Sequence, residues 1–180
     1  EGIGVDDYQE RKITWYSLRH FGITCRIRAK VPFGDIAEIA GTSSTYIESH
    51  LGGGAIMKRK PAAINNIGVD LDPQVLCSFS CDYPVQLVNS CAHRFLTNYD
   101  YSGSVLVYCD PPYLQQLRTS QRQYRFDYSQ ADHIELLSLL TSLPCQVILS
   151  GYPSTLYDEL LGDWHSMELQ AMCRGGGRPP

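Results

Sequence analysis

The chain has 180 residues, 43% of them hydrophobic and 19% charged, and a formal net charge of −4. That length buries one core and hardly two, and the charge supplies no global basic field of the kind that holds duplex nucleic acid. The seven cysteines are scattered, without the paired spacings and histidines of a zinc site, so no metal is expected. Cys109 and Cys145 sit in apolar runs and read as small buried hydrophobes. There is no charged-then-apolar leader and no apolar run long enough to span a bilayer, so a reduced cytoplasmic protein without a membrane partner is expected.

In chain order, the first strand of the main pattern is Tyr46-Ile47-Glu48-Ser49-His50. It feeds the turn Leu51-Gly52-Gly53-Gly54 and a helix start at Ala55-Ile56-Met57. A strand entering a Gly-rich turn is a way to hold a nucleotide-like cofactor, because glycine lets the backbone approach closely. Ile67 to Asp72 is a second strand ending in acid, and Asp70 is placed to meet ribose hydroxyls. Val85–Val88 reads as a third strand, Ala92–Tyr99 as a short helix and Val105–Cys109 as a buried fourth strand. Asp127 to Leu143 carries leucines at helical spacing, closed by Pro144. Cys145–Leu149 is a fifth strand, Leu156–Leu161 a short helix, and Trp164–Met172 a last strand. The alternation predicts an α/β fold, a doubly wound Rossmann-like sheet.

The most informative residues follow the fourth strand: Asp110-Pro111-Pro112-Tyr113. A carboxylate at the carboxyl end of a buried strand lies where open α/β sheets place their chemistry. Two prolines fix the backbone beyond it, and Tyr113 adds a flat face. Together they make a clamp for a planar group bearing an amine. Adenine's exocyclic amine is a poor nucleophile, because its lone pair is delocalised into the ring. Two acceptors, the Asp110 carboxylate and the Pro111 carbonyl, would take its N–H bonds while Tyr113 stacks on a flipped base. Beyond the clamp, Leu114 to Arg125 carries Arg118, Arg122 and Arg125 with Tyr124 and no acid, which suits a loop touching DNA phosphates or a solvated surface loop.

From about Thr45 onward these blocks, with His93-Arg94-Phe95-Leu96, Asp132-His133 and Ser150 to Tyr157, resemble the Dam-like adenine-N6 DNA methyltransferases, in a compact form often carried by phages. The resemblance implies an S-adenosylmethionine-dependent sheet and double-stranded DNA as partner. It implies that Glu48, Gly52 and Gly54 line the methionine part of the cofactor, that Asp70 meets its ribose, and that Asp110, Pro111, Pro112 and Tyr113 hold the adenine. The family often has an acid where this chain has Cys91, a weaker acceptor for the cofactor's adenine amine, with Ser90 as a substitute.

Residues 1–50 resemble a different family, the carboxyl end of a phage tyrosine recombinase. The likeness runs through Lys12 to Thr24 with its Ser17-Leu18-Arg19-His20, Asp35 to Ser43, and Tyr46 to His50, a run that both resemblances share. Tyr16 stands where many members have histidine, and Leu51 stands where the nucleophilic tyrosine follows the Ile-Glu-Ser-His run. Leucine has no oxygen to attack a phosphodiester. The expected organisation is therefore a fusion: a short mainly helical segment over 1–44, then a methyltransferase core over 45–180, incomplete at both ends and with a closing hairpin lacking its last strand. The alternative functional reading is a recombinase-type DNA-binding fragment that binds without cutting.

Overall fold

A computed structural model describes residues 43–117 and 125–166, together with the backbone of 23–28 and 167–169. The strands are β1 (Ile23–Arg28), β2 (Thr45–Glu48), β3 (Asn65–Asp70), β4 (Gln86–Asn89), β5 (Val105–Cys109), β6 (Gln146–Gly151) and β7 (His165–Leu169). The helices are α1 (Pro73–Ser78), α2 (Ala92–Asn98), α3 (Gln130–Ser142) and α4 (Thr155–Leu160). Among the described residues the seven strands form one sheet in the order β4-β3-β2-β5-β6-β1-β7. The first five of that order are mutually parallel, which makes the protein α/β and compatible with a Rossmann-like fold.

The central strands alternate between two buried faces, as a covered parallel sheet requires. On one face Ile47, Val69, Val107 and Leu149 pack against Leu96 of α2 and Leu136, Leu137 and Leu140 of α3. The opposite face carries Tyr46, Leu106, Tyr108 and Ile148, covered by Leu51, Met57 and Ala63 from the segment after β2. The leucines of α3 thus take the core role that their spacing predicts, and a Ser129–Asp132 capping box starts the helix. His133 is fully buried against the Tyr157 hydroxyl, and His165 is exposed.

Three expectations change. The helix start predicted at Ala55 is a run of turns, with Gly52 and Gly54 at φ 49° and 61°. A helix absent from the sequence reading, α1, is started by Asp72 accepting from the Gln74 N–H, with Pro73 in its first turn. The N-terminal segment is not helical at Ile23–Arg28: that stretch is β1, antiparallel to both β6 and β7 and inserted between them. Its Ile-Thr-Cys-Arg-Ile-Arg sequence alternates apolar Ile23, Cys25 and Ile27 with polar Thr24, Arg26 and Arg28, the period of two that a strand requires. β1 thereby joins β7 to the rest of the sheet through β6.

Candidate functional site

The chain moves outward from β2 to β3 and β4, then returns to the other side of β2 with β5 and β6. The topological switch point lies between β2 and β5, and a crevice opens there outside the carboxyl ends of the strands. In the structure this is a cleft of about 250 Å³. It is lined by Glu48 from the end of β2, the Gly52–Gly54 turn, Asp70 from the end of β3, and Asp110 to Tyr113 beyond β5. Cys91 and Arg125 complete its walls. Each candidate residue within the described segments therefore faces one cleft, although the positions run from 48 to 125. Arg118 and Arg122 lie outside the described residues.

The turn after β2 is held by its backbone. Leu51 N–H donates to the Val69 carbonyl at 2.9 Å, and Gly54 N–H to the Leu51 carbonyl at 2.7 Å. The Asp70 carboxylate accepts Gly52 N–H at 2.8 Å on one oxygen and Asp72 N–H at 2.8 Å on the other. Asp70 thus ties the glycine turn to the end of β3, and a carboxylate has lone pairs beyond these two for a ligand hydroxyl. A Cβ on Gly52 would meet no atom within 4 Å, so the turn presents bare backbone to open space. Gly68 allows Leu51 to seat, since a Cβ there would lie 2.9 Å from Leu51 Cδ2. Leu51, which stands at the recombinase nucleophile's place, is a core residue, 2% exposed.

Glu48 is 3% exposed and accepts Met57 N–H at 2.9 Å and the Tyr46 hydroxyl at 3.4 Å, both on Oε2. Burial pushes its carboxyl up to about 8, partly offset by the Met57 bond and reinforced by the nearby Asp110. At neutral pH this group is protonated, a buried acid without a full counter-charge. Four of the cleft-lining residues are acids, Glu48, Asp70, Asp72 and Asp110, against one arginine. That arginine, Arg125, forks onto both Asp72 oxygens at 3.0 and 3.2 Å. The residue expected to meet a phosphate is thus engaged by an acid across the cleft mouth. The cleft as a whole suits a cationic ligand.

On the β5 side, Asp110 Oδ1 accepts the Ser150 hydroxyl at 2.7 Å, and the ring of Tyr113 meets Tyr152 edge-on with centroids 4.7 Å apart. Ser150 and Tyr152 belong to the block Ser150 to Tyr157 that carries the resemblance, but sequence reasoning assigns neither a role. A further cluster also escaped it: the Tyr128 hydroxyl hydrogen-bonds His50 Nε2 at 3.0 Å and His93 Nδ1 at 3.3 Å beneath the cleft. Burial, then His93 and His133, lowers His50 to about 3, which keeps it neutral. These partners are 78 and 35 residues apart in sequence, so no local spacing reveals them. Cys91 Sγ lies 3.7 Å from His93 Nδ1, while Ser90, offered as its substitute, bonds the Cys91 carbonyl and Arg94.

Among the described residues there is no group of three or more His, Cys, Asp or Glu that could hold a metal ion, and no helix long and apolar enough to cross a membrane. No protein-family model matches this chain, and no curated protein matches it significantly in sequence.

Proposed function

We propose that this chain is the core of an adenine-N6 DNA methyltransferase using S-adenosylmethionine, the class its sequence blocks resemble. The observation that carries the reading is convergence. Asp110, Pro111 and Tyr113 open from the end of β5 into the same cleft as the glycine turn and the acid of β3, at the switch point of the sheet.

The cleft's chemistry fits the cofactor. S-adenosylmethionine supplies a methyl group on a cationic sulfonium, and it carries an ammonium as well. The acid-rich wall favours such a ligand, and the buried Glu48 carboxyl gains its counter-charge when a cation arrives, losing its proton in exchange. The bare backbone at Gly52 allows close approach, and Asp70 accepts ribose hydroxyls beside the bonds it already makes.

On the other side, the Asp110 carboxylate and the Pro111 carbonyl accept the two N–H bonds of the target amine. This lets the nitrogen lone pair leave conjugation and turn towards the methyl group. Tyr113 stacks on the extruded base. The transfer is direct, in line, and without a covalent enzyme intermediate; positioning and exclusion of water supply the rate. The sulfur–methyl bond breaks as the nitrogen–methyl bond forms, leaving a neutral thioether. The methylated amine then gives its extra proton to the Asp110 carboxylate, which returns it to solvent.

The test is transfer of labelled methyl groups to an adenine-containing DNA duplex. Asp110→Ala should lower kcat about 100- to 1,000-fold, as removal of a group acting in the transition state does. Its calorimetric Kd for S-adenosylmethionine should change far less than kcat. Transfer retained by Asp110→Ala, or methyl groups found on cytosine instead, would sink the assignment.

A further inference from the structure

We infer that Ser150 and Tyr152, which flank Gly151 at the end of β6, are positioning residues that set the two halves of the amine clamp. The inference rests on the functional reading above and deepens it. β6 runs parallel to β5 with Cys109 opposite Leu149, so Asp110 comes level with Ser150 one step beyond. Ser150 is 1% exposed and follows the buried Val147, Ile148 and Leu149. An alanine would satisfy that packing, so the hydroxyl answers to its partners. It accepts from the Tyr108 hydroxyl at 3.3 Å and lies 2.7 Å from Asp110 Oδ1, closer than the 3.4 Å to the Cys109 carbonyl. The short bond to a carboxylate is the stronger, charge-assisted one. It runs from a rigid strand to a residue just past a strand end, and it limits rotation of the Asp110 carboxylate.

Tyr152 does the same for the ring. Residues 150 and 152 share a face by the period of two, while Gly151 between them passes close to the Tyr157 ring, where a Cβ would be 2.9 Å from Cε2. Pro111 and Pro112 fix the path of the chain leading to Tyr113. The Tyr152 ring, tilted 64° against the Tyr113 ring, restrains the side chain as well. A carboxylate and a ring that address one amine must keep their mutual geometry, and both restraints come from one strand end.

The experiment measures kcat and KM for an adenine duplex, the S-adenosylmethionine Kd and the melting temperature in wild type, Ser150→Ala, Tyr152→Ala and Tyr152→Phe. Ser150→Ala and Tyr152→Ala should each lower kcat about 10- to 100-fold, with cofactor Kd within about two-fold. Tyr152→Phe should keep the wild-type kcat, because it keeps the ring edge. If Ser150→Ala does not fold, Ser150→Cys keeps the volume with a weak donor, and its kcat should fall likewise. Unchanged kcat in the Ser150 and Tyr152→Ala variants, or a raised KM alone, overturns the inference while the methyltransferase reading stands. A Tyr152→Phe as slow as Tyr152→Ala overturns the role given to the ring. A wild-type chain that transfers no methyl group overturns the functional reading, and the inference with it.

Discussion

On the β2–β3 side of the cleft, the shorter bonds to the acidic side chains come from main-chain N–H groups. Glu48 is held by Met57, with the longer Tyr46 hydroxyl bond beside it, and Asp70 by Gly52 and Asp72. On the β5–β6 side, the acid and the ring are held by other side chains, Asp110 by Ser150 and Tyr113 by Tyr152. The difference has consequences for how each wall fails. A wall tied through the main chain depends on backbone conformation, so its weak points are glycines and its losses register as stability. A wall tied through side chains tolerates substitution in its backbone but loses precision when one partner goes, so its losses register as rate.

The largest effect that would test this contrast is the fall in kcat of Asp110→Ala, with a far smaller change in cofactor binding. Next comes Gly54→Ala on the opposite wall. At φ 61° an alanine is strained, and its Cβ would run into the Phe79 ring. We expect a stability loss of about 2–3 kcal/mol, read from urea denaturation. A Gly54→Ala protein as stable as wild type would show that the turn is not the rigid element described.

Glu48→Gln separates stability from binding. Because the folded-state carboxyl sits at about 8 and its ordinary value is 4.5, the native state keeps a proton that the unfolded state releases. Stability therefore falls as pH rises from about 4.5, and the loss levels off above about 8. Glutamine keeps an acceptor for Met57 N–H and has no proton to lose. It should be more stable than wild type at pH 8, on the order of 2 kcal/mol, with the difference shrinking towards pH 5. His50 and Lys60 titrate in both proteins, His50 destabilising the fold as pH falls below about 6.5 and Lys60 recovering stability between about 8 and 10.5. Subtracting one urea midpoint series from the other removes the His50 contribution. Lys60, which Glu48 itself raises, differs between the two proteins, so the profiles are compared chiefly below about pH 8, before Lys60 contributes. In the same variant, S-adenosylmethionine should bind more weakly. Equal pH profiles for the two proteins would contradict the protonated state assigned to Glu48.

The smallest effect is expected at Cys91. It occupies the N-cap of α2 with extended backbone, and its side chain makes no capping bond to a helix N–H. Cys91→Asp should add about 1 kcal/mol through the missing cap, seen as a raised melting temperature. It should also tighten the cofactor Kd a few-fold by giving the adenine amine a better acceptor. A higher melting temperature with unchanged affinity would place the residue in the helix's service alone.

Much of the site is legible before folding because it obeys local rules. Asp110-Pro111-Pro112-Tyr113 after an apolar run, a glycine triplet after a strand, and an acid after Ile67-Gly68-Val69 are each read within a dozen residues. The glycine turn was over-read as a helix start, since glycine permits many paths and only the packing of Leu51 and Met57 selects one. α1 was overlooked, although Asp72-Pro73 is a recognisable helix opening. Arg125 illustrates the reverse case: a basic residue in an acid-free stretch of sequence, whose carboxylate partner is 53 positions away.

The alternation of strand and helix, the strand ends that carry acids, and the residue types of the clamp follow from the sequence by itself, because periodicity and backbone chemistry act over neighbouring residues. Tertiary structure alone decides the rest. The reversal between β2 and β5 turns separated strand ends into one cleft, and the insertion of β1 beside β6 recruits a distant segment into the sheet. Ser150, Tyr152, His50 and Tyr128 gain their partners only there, because hydrogen bonds and ring contacts depend on distance in space, and separation along the chain does not limit them once the sheet has formed.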